Sequence, residues 1–321
     1  MKILITGASG SVAGMLATYL ASKGHRITGV SRNPDTAILF ARQNYPCIPW
    51  RQLSPGYLLA NQFHAIINLA GEPMLQRWNT RNKQAILQSR IHATQKICSL
   101  VRHLPVERRP ECILHASSTA IYANADEPVD EWNRPPKHSG FFQARVWNEL
   151  ETLQRQQRIP GVRNIITRLG IVIGPTDMLK TMLIASRCFM GSVLGSGRQR
   201  ISWVAHRDMA RAFDYLLQNR TCSGTYNLVS PECITAQTMA MDIAANVNRA
   251  ATLRIPNFLM HCVLGELASN FTISAEVRPR RLLDESFIWE LASFNDAIRT
   301  AVAELGFNAP LKQANAKPQC Q

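Results

Sequence analysis

Acidic residues are scarce in this sequence. Asp and Glu number 22 against 36 Lys and Arg in 321 residues, for a formal net charge of +14. A basic surface of this kind can bind nucleic acid or an anionic membrane. The Lys and Arg are dispersed, with only short clusters such as Val277-Arg-Pro-Arg-Arg281, and no pattern of stacking aromatics accompanies them. Dispersal favours solvation and attraction of an anionic small molecule over nucleic-acid binding. Long hydrophobic runs are also missing. None approaches the roughly 20 residues needed to span a bilayer, so no membrane anchor is expected. An apolar strand-like run already begins at Ile3, so no signal or transit peptide is expected before it, and a cytoplasmic protein is the natural reading. Paired cysteines are absent: the eight cysteines, at 47, 98, 112, 188, 222, 233, 262 and 320, form no CxxC. They read as reduced, mostly buried thiols, with neither a zinc site nor a disulfide framework, and Cys320 does not fit a prenylation box. No internal repeat or low-complexity segment is found. What remains, at 46% hydrophobic residues, suffices for one large α/β domain with a smaller lobe.

The most informative stretch is Lys2-Ile-Leu-Ile-Thr-Gly-Ala-Ser-Gly-Ser-Val-Ala-Gly14. A short apolar strand ends at Thr6, Gly7 and Gly10 follow three residues apart, Ala13 takes the third small position, and an amphipathic helix begins over 15–22. In a strand–turn–helix of this kind, glycines let backbone approach a dinucleotide pyrophosphate, and the helix N-terminus offers free N–H groups and partial positive charge. The plain alternative is a β-turn-α connection without a ligand. A second strand, His25 to Val30, leads to Ser31-Arg32-Asn33. An acidic residue here would bind the ribose 2′-hydroxyl of NAD. Arg32 suits the 2′-phosphate of NADP instead, its bland reading being a solvated arginine.

Further strands are expected at Ala65 to Leu69, Cys112 to His115 and Arg163 to Leu169. Helices are expected at Asn79 to His103, with Ile86, Ile91, Ile97 and Leu100 on the apolar side, and at Phe141 to Gln157. This alternation predicts an α/β, Rossmann-type doubly wound parallel sheet with right-handed crossovers. The expected domains are a dinucleotide-binding unit over 1–174, with a return strand near 224–229, and a smaller, mostly helical substrate lobe over 175–312. The lobe includes a short strand at Thr252 to Ile255. The polar tail over 313–321 is expected to fray.

In this order the motifs resemble an extended short-chain dehydrogenase/reductase, and more narrowly the atypical, nucleoside-diphosphate-sugar epimerase-like branch with a C-terminal domain of unknown function. The residues that carry the likeness are Thr6-Gly7-Ala8-Ser9-Gly10, Arg32-Asn33-Pro34 and Asn68-Leu-Ala-Gly-Glu-Pro73. Arg77-Trp78, Ser89-Arg90 and Thr94 follow, then Arg168-Leu-Gly-Ile-Val172, Gly195-Ser-Gly-Arg-Gln199, Ser202-Trp203 with Asp208, and Pro279-Arg-Arg-Leu282. The likeness runs over residues 1–307. It implies an NADP site with Gly7, Ser9, Gly10 and Val12 at the pyrophosphate, Arg32 at the 2′-phosphate, and Leu69, Ala70 and Gly71 along the adenine-ribose side. Ser118 would hold a substrate oxygen near the nicotinamide. The resemblance also implies a homodimer through the two long helices.

One expected element is missing. The superfamily places a Tyr-x-x-x-Lys pair on one face of the helix after Ser118, where Lys lowers the Tyr pKa and grips the ribose while Tyr moves the proton. Anchored on Glu151, those positions hold Gln143 and Trp147. The literal match Tyr19-Leu-Ala-Ser-Lys23 lies on the first helix, where it would pack the sheet far from the nicotinamide. Tyr122, Lys137 and His138 are alternative proton carriers, each with a packing or solvation reading beside the catalytic one. The branch's Trp-Ile-His segment reads Trp203-Val204-Ala205, with His206 one residue later, and a Gly-Gly pair is missing near Thr176-Asp177. Two functions follow. One is an NADP-dependent oxidoreductase or epimerase-like enzyme on a small substrate. The other is a catalytically weak NADP(H)-binding regulator or scaffold.

Overall fold

Short apolar runs become the strands of one central sheet. The computed structural model describes residues 1–34, 45–137, 139–251 and 253–307. The strands are β1 (Lys2–Thr6), β2 (Arg26–Ser31), β3 (Cys47–Pro49), β4 (Ala65–Asn68), β5 (Cys112–Ser118), β6 (Arg163–Leu169), β7 (Ile171–Ile173), β8 (Ser192–Leu194), β9 (Arg200–Ala205), β10 (Gly224–Leu228), β11 (Cys233–Thr235) and β12 (Leu253–Ile255). The helices are α1 (Ser11–Ser22), α2 (Pro55–Asn61), α3 (Thr80–Arg102), α4 (Phe142–Gln156), α5 (Asp177–Arg187), α6 (His206–Gln218), α7 (Ala236–Ala245), α8 (Asn257–Leu264), α9 (Arg280–Asp284) and α10 (Phe294–Glu304).

The central sheet has seven strands in the order β10-β6-β5-β4-β1-β2-β3, all parallel. This is the doubly wound sheet expected from the alternation. Its strands read as continuous apolar runs because helices cover both faces. Successive side chains point to opposite faces. Ile3, Ile5, Ile67 and Leu114 pack toward α1 and α6, whereas Leu4, Val30, Ile66 and Ile113 pack toward α2 and α3. Helix α1 meets the sheet through Ala13, Leu16, Ala17 and Leu20, a 3.6-residue stripe. Strand order reverses between β1 and β4, and in open α/β sheets ligands bind beyond the carboxyl ends of such a pair.

Several boundaries shift. Strand β5, expected to end at His115, runs on to Ser118, because its pairing with β6 continues to Ser118↔Leu169. The helix expected from Asn79 to His103 spans Thr80–Arg102, and those two residues are its caps; the Asn79 side chain accepts from the Asn82 N–H. Its buried stripe is Ile86, Ala93, Ile97 and Val101, and the expected Ile91 and Leu100 lie only half buried at its margin. Strand β3 and helix α2 were not anticipated. β3 has three residues, and α2 is a short helix with one buried residue, Leu58.

After Pro175 the chain builds a second core and then returns to the first. The second core holds Ile173, Leu183, Trp203, Ile243, Phe294 and Ile298. It is framed by the small sheet β11-β9-β7 and helices α5, α7 and α10, with β12-β8 as a further two-stranded sheet. Phe213, Leu216, Tyr226 and Leu228, from α6 and β10, belong to the first core, as does Leu282 of α9. Residue 252 and the tail over 313–321 lie outside the described residues. Among the described residues no helix is long and apolar enough to cross a membrane.

Candidate functional site

The β1–α1 turn and the loop after β4 touch at the switch point. Gly7 has φ +72°, in the left-handed region, and a Cβ there would stand 2.7 Å from the Leu69 carbonyl oxygen and 2.8 Å from its carbon. Only glycine fits, on both conformational and steric grounds. The Gly10 N–H donates to the Gly7 carbonyl at 2.9 Å, which closes the turn. Gly10 is the N-cap of α1, with no side-chain cap and no acid in the first turn. The helix therefore presents its positive end and its first N–H groups without an internal anion. Ser9, Gly10 and Ser11 are exposed, and Val12 is half buried against the first core.

The ends of β1, β4 and α3 are tied by a buried polar chain. Thr6 Oγ1 donates to Asn68 Oδ1 at 2.7 Å, and Asn68 Nδ2 donates to Thr94 Oγ1 at 3.2 Å. The loop 69–73 is then held against α3. The Glu72 N–H donates to Ser89 Oγ at 2.9 Å, and Arg90 Nη1 donates to the Glu72 carbonyl at 2.9 Å. Arg32 stands at the end of β2 with its side chain 71% exposed, and its guanidinium pairs with the Glu72 carboxylate. Arg32 and the loop 69–73 therefore lie side by side across the sheet edge.

The other half of the region is closed by packing. Ser118 ends β5, and its Oγ accepts from the Ala120 N–H at 3.2 Å, capping a short 3-10 turn over Thr119–Tyr122. Tyr122 is 3% exposed. Its hydroxyl donates toward the Asp130 carbonyl at 2.7 Å and Asn227 Oδ1 at 3.0 Å, and accepts from Arg168 Nη1 at 2.7 Å. Burial pushes its ionisation up to about 12, against the lowering by Arg168. Arg168 in turn grips Glu151 through two hydrogen bonds of 2.8 Å, and Ser117 Oγ donates to the same carboxylate at 2.7 Å. Gln143 and Trp147 lie buried on α4. The hydroxyl of Tyr122 is fully committed to this network, which argues against a proton-carrying role and for its packing reading.

The remaining candidates lie elsewhere. Lys137 is exposed, and His138 falls outside the described residues. His206 reaches the Ile173 carbonyl at 3.3 Å and Glu304 of α10 at 3.0 Å, joining the second core rather than the switch point. On α1, Lys23 Nζ sits 5.4 Å from the centre of the Tyr19 ring, on a helix that packs the sheet. A groove of about 390 Å³ runs along α1, lined by Ser11, Gly14, Thr18, Pro175, His206 and Glu304; it begins beside Gly10 and Val12 but includes none of the residues expected to hold the cofactor.

A parallel sheet with this order and a glycine turn at its switch point define a Rossmann-type protein of the short-chain dehydrogenase/reductase class. The comparisons narrow the class. The chain belongs to the NAD dependent epimerase/dehydratase family, whose profile matches residues 3–228. Among curated relatives, the epimerase family protein YfhF of Bacillus subtilis (strain 168) is 26% identical over 309 residues, covering 95% of this chain and 99% of its own. A chloroplastic SDR39U1 homologue of Arabidopsis thaliana is 28% identical over 301 residues, covering 93% of this chain and 86% of its own. Among solved structures, the human epimerase family protein SDR39U1, crystallised with NADPH, superposes with a TM-score of 0.82 at 25% identity, over 95% of this chain and 100% of that one. UDP-glucuronic acid 4-epimerase of Bacillus cereus, in complex with NAD, shares the fold at a TM-score of 0.73 and 15% identity, over 96% of this chain and 99% of that one.

Proposed function

We propose that this chain is an NADP(H)-dependent, epimerase-like oxidoreductase that acts on a small carbonyl or alcohol substrate without a tyrosine–lysine pair. The observation that carries the reading is the gap at Gly7, where any side chain would strike the Leu69 carbonyl. That close approach sets the loop after β4 against the turn, beside the uncapped first N–H groups of α1, which is the fit a pyrophosphate requires. Gly7, Ser9, Gly10 and Val12 would line the pyrophosphate, and Leu69, Ala70 and Gly71 the adenine-ribose side. Arg32 would meet the 2′-phosphate by exchanging its Glu72 partner for a doubly charged acceptor. The NADPH in the human relative's crystal supports the same choice.

When bound, the cofactor supplies hydride. Ser118 is the side-chain hydroxyl left to orient a substrate oxygen, at the carboxyl end of β5 beside the switch point. With Gln143 and Trp147 on α4 and Tyr122 locked, the proton comes from water or from the substrate itself. The test is steady-state oxidation of NADPH across a broad carbonyl panel. Turnover with at least one carbonyl is expected, and Ser118→Ala should lower kcat/KM about tenfold, the scale of one lost hydrogen bond to a polarised oxygen, while NADPH affinity stays unchanged. Absence of oxidation across the panel contradicts the reading. It would favour the second one, a catalytically silent NADP(H)-binding protein, which the burial of Gln143 and Trp147 supports.

A further inference from the structure

Arg90 is out of place by the ordinary logic of its helix. It sits four residues after Ile86 and three before Ala93, on the same stripe that α3 buries. An arginine on such a stripe is desolvated at a cost unless something uses its charge. Burial does pull its ionisation down, to about 10, with Glu72 opposing the shift, so it stays cationic at neutral pH.

Two neighbours define where that charge goes. Its guanidinium carbon lies 5.0 Å from the centre of the Trp147 ring, a cation–π contact. Trp147 occupies the position on α4 where the superfamily carries its lysine. The same carbon would stand 2.8 Å from a Cβ built on Gly71, so the guanidinium lies directly against the loop after β4. Its Nη1 is spent on the Glu72 and Ile86 carbonyls, at 2.9 and 2.8 Å. Among the described residues Nε and Nη2 donate to no protein group, yet neither is sealed from solvent without a partner. A cation thus stands over the lysine position with one edge anchored and the other edge open.

We propose that Arg90 replaces the missing lysine: seated on Trp147, it reaches from α3 and donates through Nε and Nη2 to the hydroxyls of the nicotinamide ribose. The substitution moves the ribose grip from α4 to α3 and makes the tryptophan a platform. It explains Gly71, because a side chain there would displace the guanidinium. It also explains how a site without lysine keeps a positive charge beside the switch point. This rests on the NADP(H) reading above, and Arg90 is a binding residue within it.

The bland alternative is that Arg90 only bolts the loop 69–73 through the Glu72 carbonyl. The two separate by ligand. NADPH carries the nicotinamide ribose, whereas adenosine 2′,5′-bisphosphate carries only the adenine-ribose half, which faces the loop and Arg32. Calorimetric titration of wild type and Arg90→Gln with both ligands decides. Arg90→Gln is expected to weaken NADPH about tenfold, the worth of one charge-assisted hydrogen bond, and to leave the bisphosphate within about twofold. Trp147→Lys added to Arg90→Gln should restore most of the NADPH affinity, because the lysine regains its superfamily position. Equal losses for both ligands, or no loss for NADPH, overturn the proposal. If the double variant does not fold, the two-ligand comparison on Arg90→Gln alone decides. Wild type that binds neither ligand sinks the NADP(H) reading, and this proposal with it.

Discussion

The two halves of the switch-point region are built on opposite rules. At β1, β2 and β4 the surface consists of backbone and small residues, with the helix end uncapped and the exposed Arg32 paired with the half-buried Glu72. At β5, β6 and α4 one polar run, Ser117–Glu151–Arg168–Tyr122–Asn227, is buried and hydrogen-bonded within the chain. The first half has donors to offer a ligand. The second has spent its donors on itself. In a short-chain dehydrogenase/reductase the second half would carry the proton relay; here Gln143 and Trp147 lie buried on α4 and Tyr122 is bound into the run.

That contrast can be broken by mutation, most forcefully in the closed half. Glu151 is fully buried and receives both Arg168 and Ser117. Glu151→Ala strands a buried arginine and should cost about 3–5 kcal/mol in denaturant unfolding. The protein that remains folded should bind NADPH as wild type does. A large loss of NADPH affinity without loss of stability would mean that the network serves the ligand directly.

His115, on the same strand as Ser117 and Ser118, gives the next effect. It is fully enclosed with its Nδ1 unpaired, and burial lowers its pKa from 6.5 to about 4. Above pH 6.5 it is neutral in both folded and unfolded chains and contributes no pH dependence. Below that, the unfolded chain gains a proton that the folded chain refuses until about pH 4, so stability falls as pH falls through this window. The loss should approach ~3 kcal/mol, and His115→Gln should flatten it; a variant with the wild-type pH profile would place the effect in other groups.

Tyr122→Phe has a smaller expected cost of about 1–3 kcal/mol, since Arg168 Nη1 loses its acceptor. NADPH oxidation, once a substrate is found, should survive it. Collapse of kcat with stability intact would return Tyr122 to the role of proton carrier and open the closed half.

How far the sequence reveals these halves follows from the range of the forces involved. The cradle is local: strand, glycines and the start of the helix are contiguous over 13 residues from Lys2 to Gly14, and they fold as read except that the helix begins at Ser11, directly after its N-cap Gly10, rather than at 15. Gln143 and Trp147 could be placed on one helix because that needs only the helix and an anchor at Glu151. Arg32 is visible, but its partner Glu72 lies 40 residues on, in the loop after a different strand. Tyr122 read equally well as a catalyst or a packing aromatic, because its three partners come from Asp130, Arg168 and Asn227 and meet only once the sheet forms. Arg90 was quoted only as part of a motif. Ile91 and Leu100, nine residues apart, point to opposite sides of a helix and fix no phase, whereas Ile86, Ala93, Ile97 and Val101 share one side, and Arg90 falls on it. The run past His115 in β5 could not be read either, since Ser117 and Ser118 are held in the strand by pairing with β6 rather than by propensity.

The central claim is that the open half holds NADP(H). Tryptophan-fluorescence titration with NADPH and NADH, on wild type and Arg32→Ala, tests it most directly. Wild type should bind NADPH at least about tenfold more tightly than NADH, as one charge-assisted contact to the 2′-phosphate requires, and Arg32→Ala should erase most of that difference. Equal affinity of wild type for both cofactors would contradict the account.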